Sequence, residues 1–228
     1  MQIPANRLAE FITAQTPERR VRLVRQVMHG GSGHPNYYQC FHKPAKEFLF
    51  SGAHDASPIL QVIERLKTRT STKWFSTDSR ITAEALRSLI TLSPQLHYLR
   101  ATFVPIGTRT SLLHLADADI SVRPNLFVHG ERKGRPLVGG LRFYLAKESP
   151  YQLGIRGAEL VAVMEYLSLT QIASGSRSPD TELCVVVECM QGRITNAPAD
   201  TSHHLAVIER GCREFVQLWH RLDDEEAA

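Results

Sequence analysis

Five segments read together decide the fold: ISVRPNLFV (120–128), PLVGGLRFYLAK (136–147), GAELVAVMEYLSLTQIA (157–173), ELCVVVECMQGRI (182–194) and HHLAVIERGCREFVQLWHRL (203–222). The first two are short β-rich runs joined by GERKGRP, a Gly- and Pro-bearing turn. The third and fifth repeat apolar residues at helical spacing, and the fourth returns to a strand pattern. The resulting ββαβα order narrows this half of the chain to a few architectures built on a mixed sheet. In CVVVECM, strand alternation places Val185, Val187 and Cys189 on one face and Cys184, Val186 and Glu188 on the other. The last helix carries Leu205, Ile208, Cys212, Phe215, Val216 and Trp219 in register, a stripe suited to packing on that sheet.

Upstream of this core the period is helical. Leu8, Phe11 and Ile12 share a face over 7–12, with Asn6 as the expected N-cap. Thr16-Pro17-Glu18 is a second helix start, with a capping Thr, a Pro at the first helical position and an acid in the first turn. The helix it opens ends at Gly30-Gly31-Ser32-Gly33. That stretch is not a phosphate loop, because no strand precedes it and no Lys-Ser/Thr pair follows at the required spacing. Further helices are predicted at 44–50, 57–68 and 82–91, while 101–119 reads as either an extra strand or a linker. The expected class is therefore α+β: a helical domain over 1–100, then a ββαβα mixed-sheet domain over 101–228.

Charge divides along the same line. Residues 1–100 hold 14 Lys and Arg against 7 Asp and Glu, whereas 101–228 hold 13 against 16, within an overall net charge of +4. A basic first half points to an anionic partner, or to basic residues that simply solvate helix surfaces. Four arginines, Arg19, Arg20, Arg22 and Arg25, lie within seven residues on one helix. Guanidinium groups fork hydrogen bonds onto phosphate, so these are the candidate nucleic-acid contacts; an acidic protein partner would be met by the same residues. Tyr37, Tyr38 and Phe41 follow, suited either to stacking on unpaired bases or, as aromatics at this spacing more commonly do, to filling a helical core.

Metal and redox chemistry find little support. His34, Cys40 and His42 match no zinc-knuckle spacing, so loop histidines beside a buried Cys are expected there. Four cysteines at irregular spacing make no disulfide framework, and with no signal-peptide apolar region in MQIPANRLAEFITAQ a reducing cytoplasm is expected. No apolar run approaches the ~18 residues of a membrane span. The adjacent His203 and His204 point about 100° apart on a helix, poor geometry for ligating one metal. Glu188, an acid inside an apolar strand, is the best single candidate for a functional carboxylate; the alternative is a strand-end acid, solvated or paired with Arg142 or Arg193. The tail Asp223-Asp224-Glu225-Glu226 either shields a basic surface or solubilises the chain.

At corresponding places the second half resembles the restriction-endonuclease-like nucleases, whose PD-(D/E)xK signature sets an acid after Pro at the start of one strand and an acid-x-Lys triplet beyond a hairpin. The resemblance covers roughly residues 119–200, with Pro124-Asn125 at the first place and Leu145-Ala146-Lys147 at the second. It implies a divalent cation held by the two acids and a Lys that orients the attacking water. This chain has Asn125 and Leu145 where the acids belong, Ala162 where the exonuclease branch carries Gln before Tyr166, and only Lys147 in place. Such a copy is expected to be catalytically degenerate. Three readings stay open: an accessory protein of a bacterial defence or mobile-element system that associates with DNA or RNA through a nuclease-like domain; an adaptor acting on a protein partner; or an active Mg²⁺-dependent nuclease with a rearranged site built on Lys147 and Glu188. Only the last would need a metal.

Overall fold

The computed structural model describes residues 1–30, 38, 40–68, 73–96, 101–106, 111–146, 153–172 and 176–227, with the backbone alone for 73–76. Its first element is a strand that periodicity does not announce, β1 (Gln2–Pro4), leading directly into α1 (Ala5–Thr13). Asn6 is not the cap: Pro4 holds the N-cap position with extended backbone and no side-chain cap bond. Thr16 does cap α2 (Pro17–Met28), its hydroxyl accepting the Arg19 amide at 3.3 Å with Pro17 in the first turn. Helices α3 (His42–Phe50) and α4 (Ser57–Lys67) lie where expected. Helix α5 (Lys73–Leu96) is much longer than the predicted 82–91 and runs through Pro94. A proline there cannot donate to the Ile90 carbonyl. The Ser93 hydroxyl donates to that oxygen instead, at 2.8 Å, which lets the helix finish its last turn.

The ambiguous 101–119 stretch contributes strands: β2 (Thr102–Pro105), β3 (Ser111–Leu115) and the start of β4 (Ala118–Val122). Then follow β5 (Leu126–Arg132), β6 (Arg135–Tyr144), α6 (Gly154–Ile172), β7 (Ser178–Pro179), β8 (Val185–Glu188), β9 (Arg193–Asn196) and α7 (Ser202–Ala227). The main sheet has the order β2-β5-β6-β8-β9, with β7 beside the first part of β6. The hairpin β5–β6 pairs from Leu126↔Leu141 to Arg132↔Arg135. It closes through Lys133 and Gly134 at φ +52° and +74°, the double left-handed geometry of a two-residue hairpin turn. Helix α6 carries the chain back so that β8 runs parallel to β6. A smaller sheet, β1-β4-β3, pairs β1 parallel to β4 at Ile3↔Ile120.

Both faces of the main sheet are covered. Val185 and Val187 of β8, with Leu126, Val128, Leu141 and Phe143, pack against α3, α4 and α5 through Phe41, Phe48, Ile59, Ile63, Leu86 and Leu89. Cys184 and Val186 face the other way, into a core shared with α1, α2, α6 and α7. The VVV run is apolar on both sides, so each side needs a helical cover, as strands buried on two faces do. The packing therefore cuts across the division expected at residue 100. β1, α1 and α2 join the layer of α6 and α7, with Phe11 edge-on to Phe215 at 5.0 Å, while α3–α5 cover the opposite face. Gly139 is dictated by this packing: a Cβ there would lie 2.1 Å from the Leu183 carbonyl oxygen. The chain is thus of the α+β class, with mixed sheets between two helical layers.

Candidate functional site

Three carboxylates lie buried on the α6 side of the sheet, and each meets its own arginine. The first is Glu165, in the middle of α6 and 1 % exposed. Its Oε1 accepts from Arg142 Nε at 2.7 Å. Burial pushes the Glu165 carboxyl up from its ordinary value, and the Arg142 charge opposes that shift. Arg142 stands on β6, and one step beyond Leu126↔Leu141 in the ladder lies Asn125. Asn125 completes the ladder itself: its amide donates to the Leu141 carbonyl, and its Oδ1 accepts the Phe143 amide, both at 2.7 Å. Across the ladder from Asn125, then, stands Arg142. β6 ends at Tyr144, and Lys147 lies outside the described residues. Gly140 leaves room for the pair, since a Cβ there would sit 3.1 Å from Glu165 Oε2 and 3.0 Å from Pro124 Cβ.

The second carboxylate is Glu10 of α1, 5 % exposed. It accepts from Arg7 Nη1 at 2.9 Å, from Arg19 Nη2 at 3.2 Å, and from the Tyr144 hydroxyl at 3.2 Å. Burial raises its pKa against the pull of both arginines, and raises the Tyr144 phenol as well. The third is Glu188, fully buried at the end of β8 beside Tyr144 in the ladder. Its Oε2 accepts from Arg193 Nε at 2.6 Å and from Arg193 Nη2. Burial again raises this carboxyl, opposed by Arg193 and by the Gly154 amide at the start of α6. Of the two partners the sequence suggested for Glu188, Arg193 is the one engaged.

This chemistry neutralises carboxylates; it does not assemble them. A hard cation asks for several oxygens converging on one point. Here each acid is already paired with a guanidinium, and no group of three or more His, Cys, Asp or Glu that could hold a metal ion occurs among the described residues. His34 lies outside the described residues, Cys40 packs against the α3–α5 core, and His42 opens α3 edge-on to Phe41 at 5.6 Å. Cys184, Cys189 and Cys212 are buried free thiols whose pKa burial raises, Cys212 to about 12, so none is a ready nucleophile. His204 meets Glu159 at 3.4 Å, while His203 stands edge-on to it.

The four arginines of α2 do not form one surface. Arg19 is the buried partner of Glu10. Arg20 pairs with Glu214 of α7 at 3.0 Å and lies over the Phe11 ring. Arg25 reaches Glu226, also of α7, at 3.8 Å, joined there by His29 at 3.6 Å, and Arg22 stands exposed. The acidic end of α7 thus does meet the basic helix. Of the aromatics, Phe41 is fully buried in the core, the Tyr38 amide donates to Asp78 Oδ1 at 2.8 Å, and Tyr37 lies outside the described residues.

Sequence reasoning missed Glu10, Glu165 and Tyr144. Glu165 had a signal: it is the lone charge in LVAVMEYLSLTQI, the same anomaly that singled out Glu188. Glu10 had none, because one acid on a short amphipathic helix is ordinary. What these elements define is an α+β protein whose parallel-strand ends are locked by three buried carboxylates, each paired with arginine. Comparison with known protein families, with curated proteins and with solved structures finds no match to this chain. No helix among the described residues is long and apolar enough to cross a membrane.

Proposed function

We propose that this chain carries a catalytically degenerate nuclease-like domain that associates with nucleic acid without cutting it. The observation that carries this reading is the substitution at the two motif places: Asn125 and Leu145 stand where a metal-binding nuclease of the resembled kind needs acids, and the buried carboxylate nearest Asn125's ladder partner, Glu165, is already paired with Arg142. The β5–β6 hairpin followed by a helical crossover to the parallel strand β8 supports the same architecture. Exposed cations at Arg22 and at the hairpin tip, Lys133 and Arg135, supply the charge for phosphate contacts.

The test is anisotropy of labelled single- and double-stranded DNA and RNA at two salt concentrations, with Mg²⁺ present and the probe recovered intact or cut. Binding that weakens steeply with salt and leaves the probe whole is the expected result. A protein-adaptor reading is favoured by a different observation: three of the four α2 arginines are already engaged within the molecule. No binding of any probe at low salt would put that reading first. Probe cleavage that survives Glu188→Gln would point instead to a site not built on this acid.

A further inference from the structure

We propose that the groove at the far end of α6 binds one unpaired base of a single-stranded nucleic acid. The inference rests on the reading above and names its binding site. The groove has a volume of about 270 Å³ and lies between the β5–β6 face and the last turns of α6, lined by Phe127, His129, Val138, Leu169, Ile172 and Arg177. That volume falls just below the roughly 300–1,000 Å³ of drug-sized ligand sites, which suits a single ring system. Phe127 and His129 occupy alternate positions of β5, so both rings rise from the same face. Their planes are 19° apart and their centroids 6.4 Å apart, giving two aromatic surfaces side by side. Ile172, 55 % exposed, extends the apolar wall at the helix end.

Charge selects the occupant. Among the described residues no carboxylate lines the groove, and Arg177 is the charged one. Partial burial, and after it the charge of Arg177, hold the His129 imidazole below its ordinary pKa, which favours the neutral ring. A neutral aromatic pair beside a guanidinium is what a stacked base with its phosphate requires. Beyond the groove, Lys133 stands exposed at the hairpin tip. Glu131, the next residue on that face of β5, lies beyond the lining residues.

The experiment titrates the full chain into labelled oligothymidylate and into the matching duplex, comparing wild type with Phe127→Ala, with Arg177→Gln and with the distant Arg22→Gln. Loss of one base stack is worth about 1–3 kcal/mol. Phe127→Ala should therefore weaken single-strand binding roughly 5- to 150-fold and leave the duplex almost unaffected, while Arg22→Gln changes both alike. A fluorescent base analogue within the strand should be quenched by wild type and not by Phe127→Ala, a readout that a folding defect cannot imitate when circular dichroism is unchanged. Wild-type binding that Phe127→Ala and Arg177→Gln leave intact, without quenching, overturns this site and spares the nucleic-acid reading. Absence of wild-type binding to every probe overturns both.

Discussion

The two faces of the main sheet are packed by opposite means. On the α3–α5 side the contact is apolar, from Phe41 and Phe48 to Val185 and Val187, and Asp78, which caps the Tyr38 amide, is the one carboxylate buried there among the described residues. On the α6 side Glu10, Glu165 and Glu188 are buried within hydrogen-bonding reach of arginines. Apolar packing tolerates exchange of shape for shape, whereas a buried charge demands one particular partner at one particular place. The first face therefore supplies cohesion, and the second fixes how α1, α2 and α6 sit on the strand ends.

The sharpest way to break this contrast is a matched pair of truncations. Phe48→Ala on the apolar face should cost about 3–5 kcal/mol in urea unfolding, from lost burial and the cavity left behind. Glu165→Ala should cost a similar amount, about 3–5 kcal/mol, because Arg142 is left largely buried without its counter-charge. The two should part in the second step: Glu165→Leu combined with Arg142→Met should recover most of the loss. If that double variant stays as unstable as the single one, the pair does more than cancel charge.

Overpacking at Gly139 comes next. Gly139→Ala would drive a methyl against the Leu183 backbone, so a loss of about 1–3 kcal/mol is expected by the same unfolding measurement. The pH response distinguishes the faces again. Glu10, Glu165 and Glu188 all have pKa values raised by burial. The folded state then holds protons more tightly than the unfolded chain, so their contribution is fully present below the ordinary value near 4.5 and is lost as pH rises through the raised folded values. As pH rises from about 4.5 the urea midpoint should fall, and Glu188→Gln should flatten that slope. A midpoint that instead falls on acidification would refute the sign.

The smallest effect belongs to the α2–α7 surface. Arg20–Glu214 and Arg25–Glu226 are each more than a third exposed, and such pairs contribute roughly 0.2–1 kcal/mol. A double-mutant cycle on Arg20 and Glu214 should give a coupling within that range at low salt and near zero in concentrated salt. Glu226→Gln should barely change stability. By freeing Arg25, it should raise affinity for nucleic acid modestly, if α2 takes part in that contact.

Elements were legible where a local period was long enough to repeat. The β5–β6 hairpin, the strand at β8 and the helices α6 and α7 each carry several apolar residues in register, and CVVVECM alternates between the two cores as its pattern predicts. β1 escaped because three residues with one buried side chain, Ile3, have no period to detect. The first half of α5 escaped because KWFSTDSR mixes aromatic and small polar residues that favour no helix locally. Glu188 stood out as an acid in an apolar strand, yet its partner was one of two candidates. The α2 arginines looked alike in sequence, although one is buried, two pair with α7 and one faces solvent.

The sequence by itself determined the order of most elements, the two-faced apolar character of β8, the hairpin turn in GERKGRP and the absence of acids at Asn125 and Leu145, because each depends on residues a few positions apart. Only the tertiary structure decided which helices cover which face and which arginine answers which carboxylate. Tyr144 reaches Glu10 across 134 positions, and Arg20 reaches Glu214 across 194. Propensity and period act over one or two turns. The partner of a buried charge is chosen by whatever packing brings within about 3 Å, and that distance is set by the whole fold.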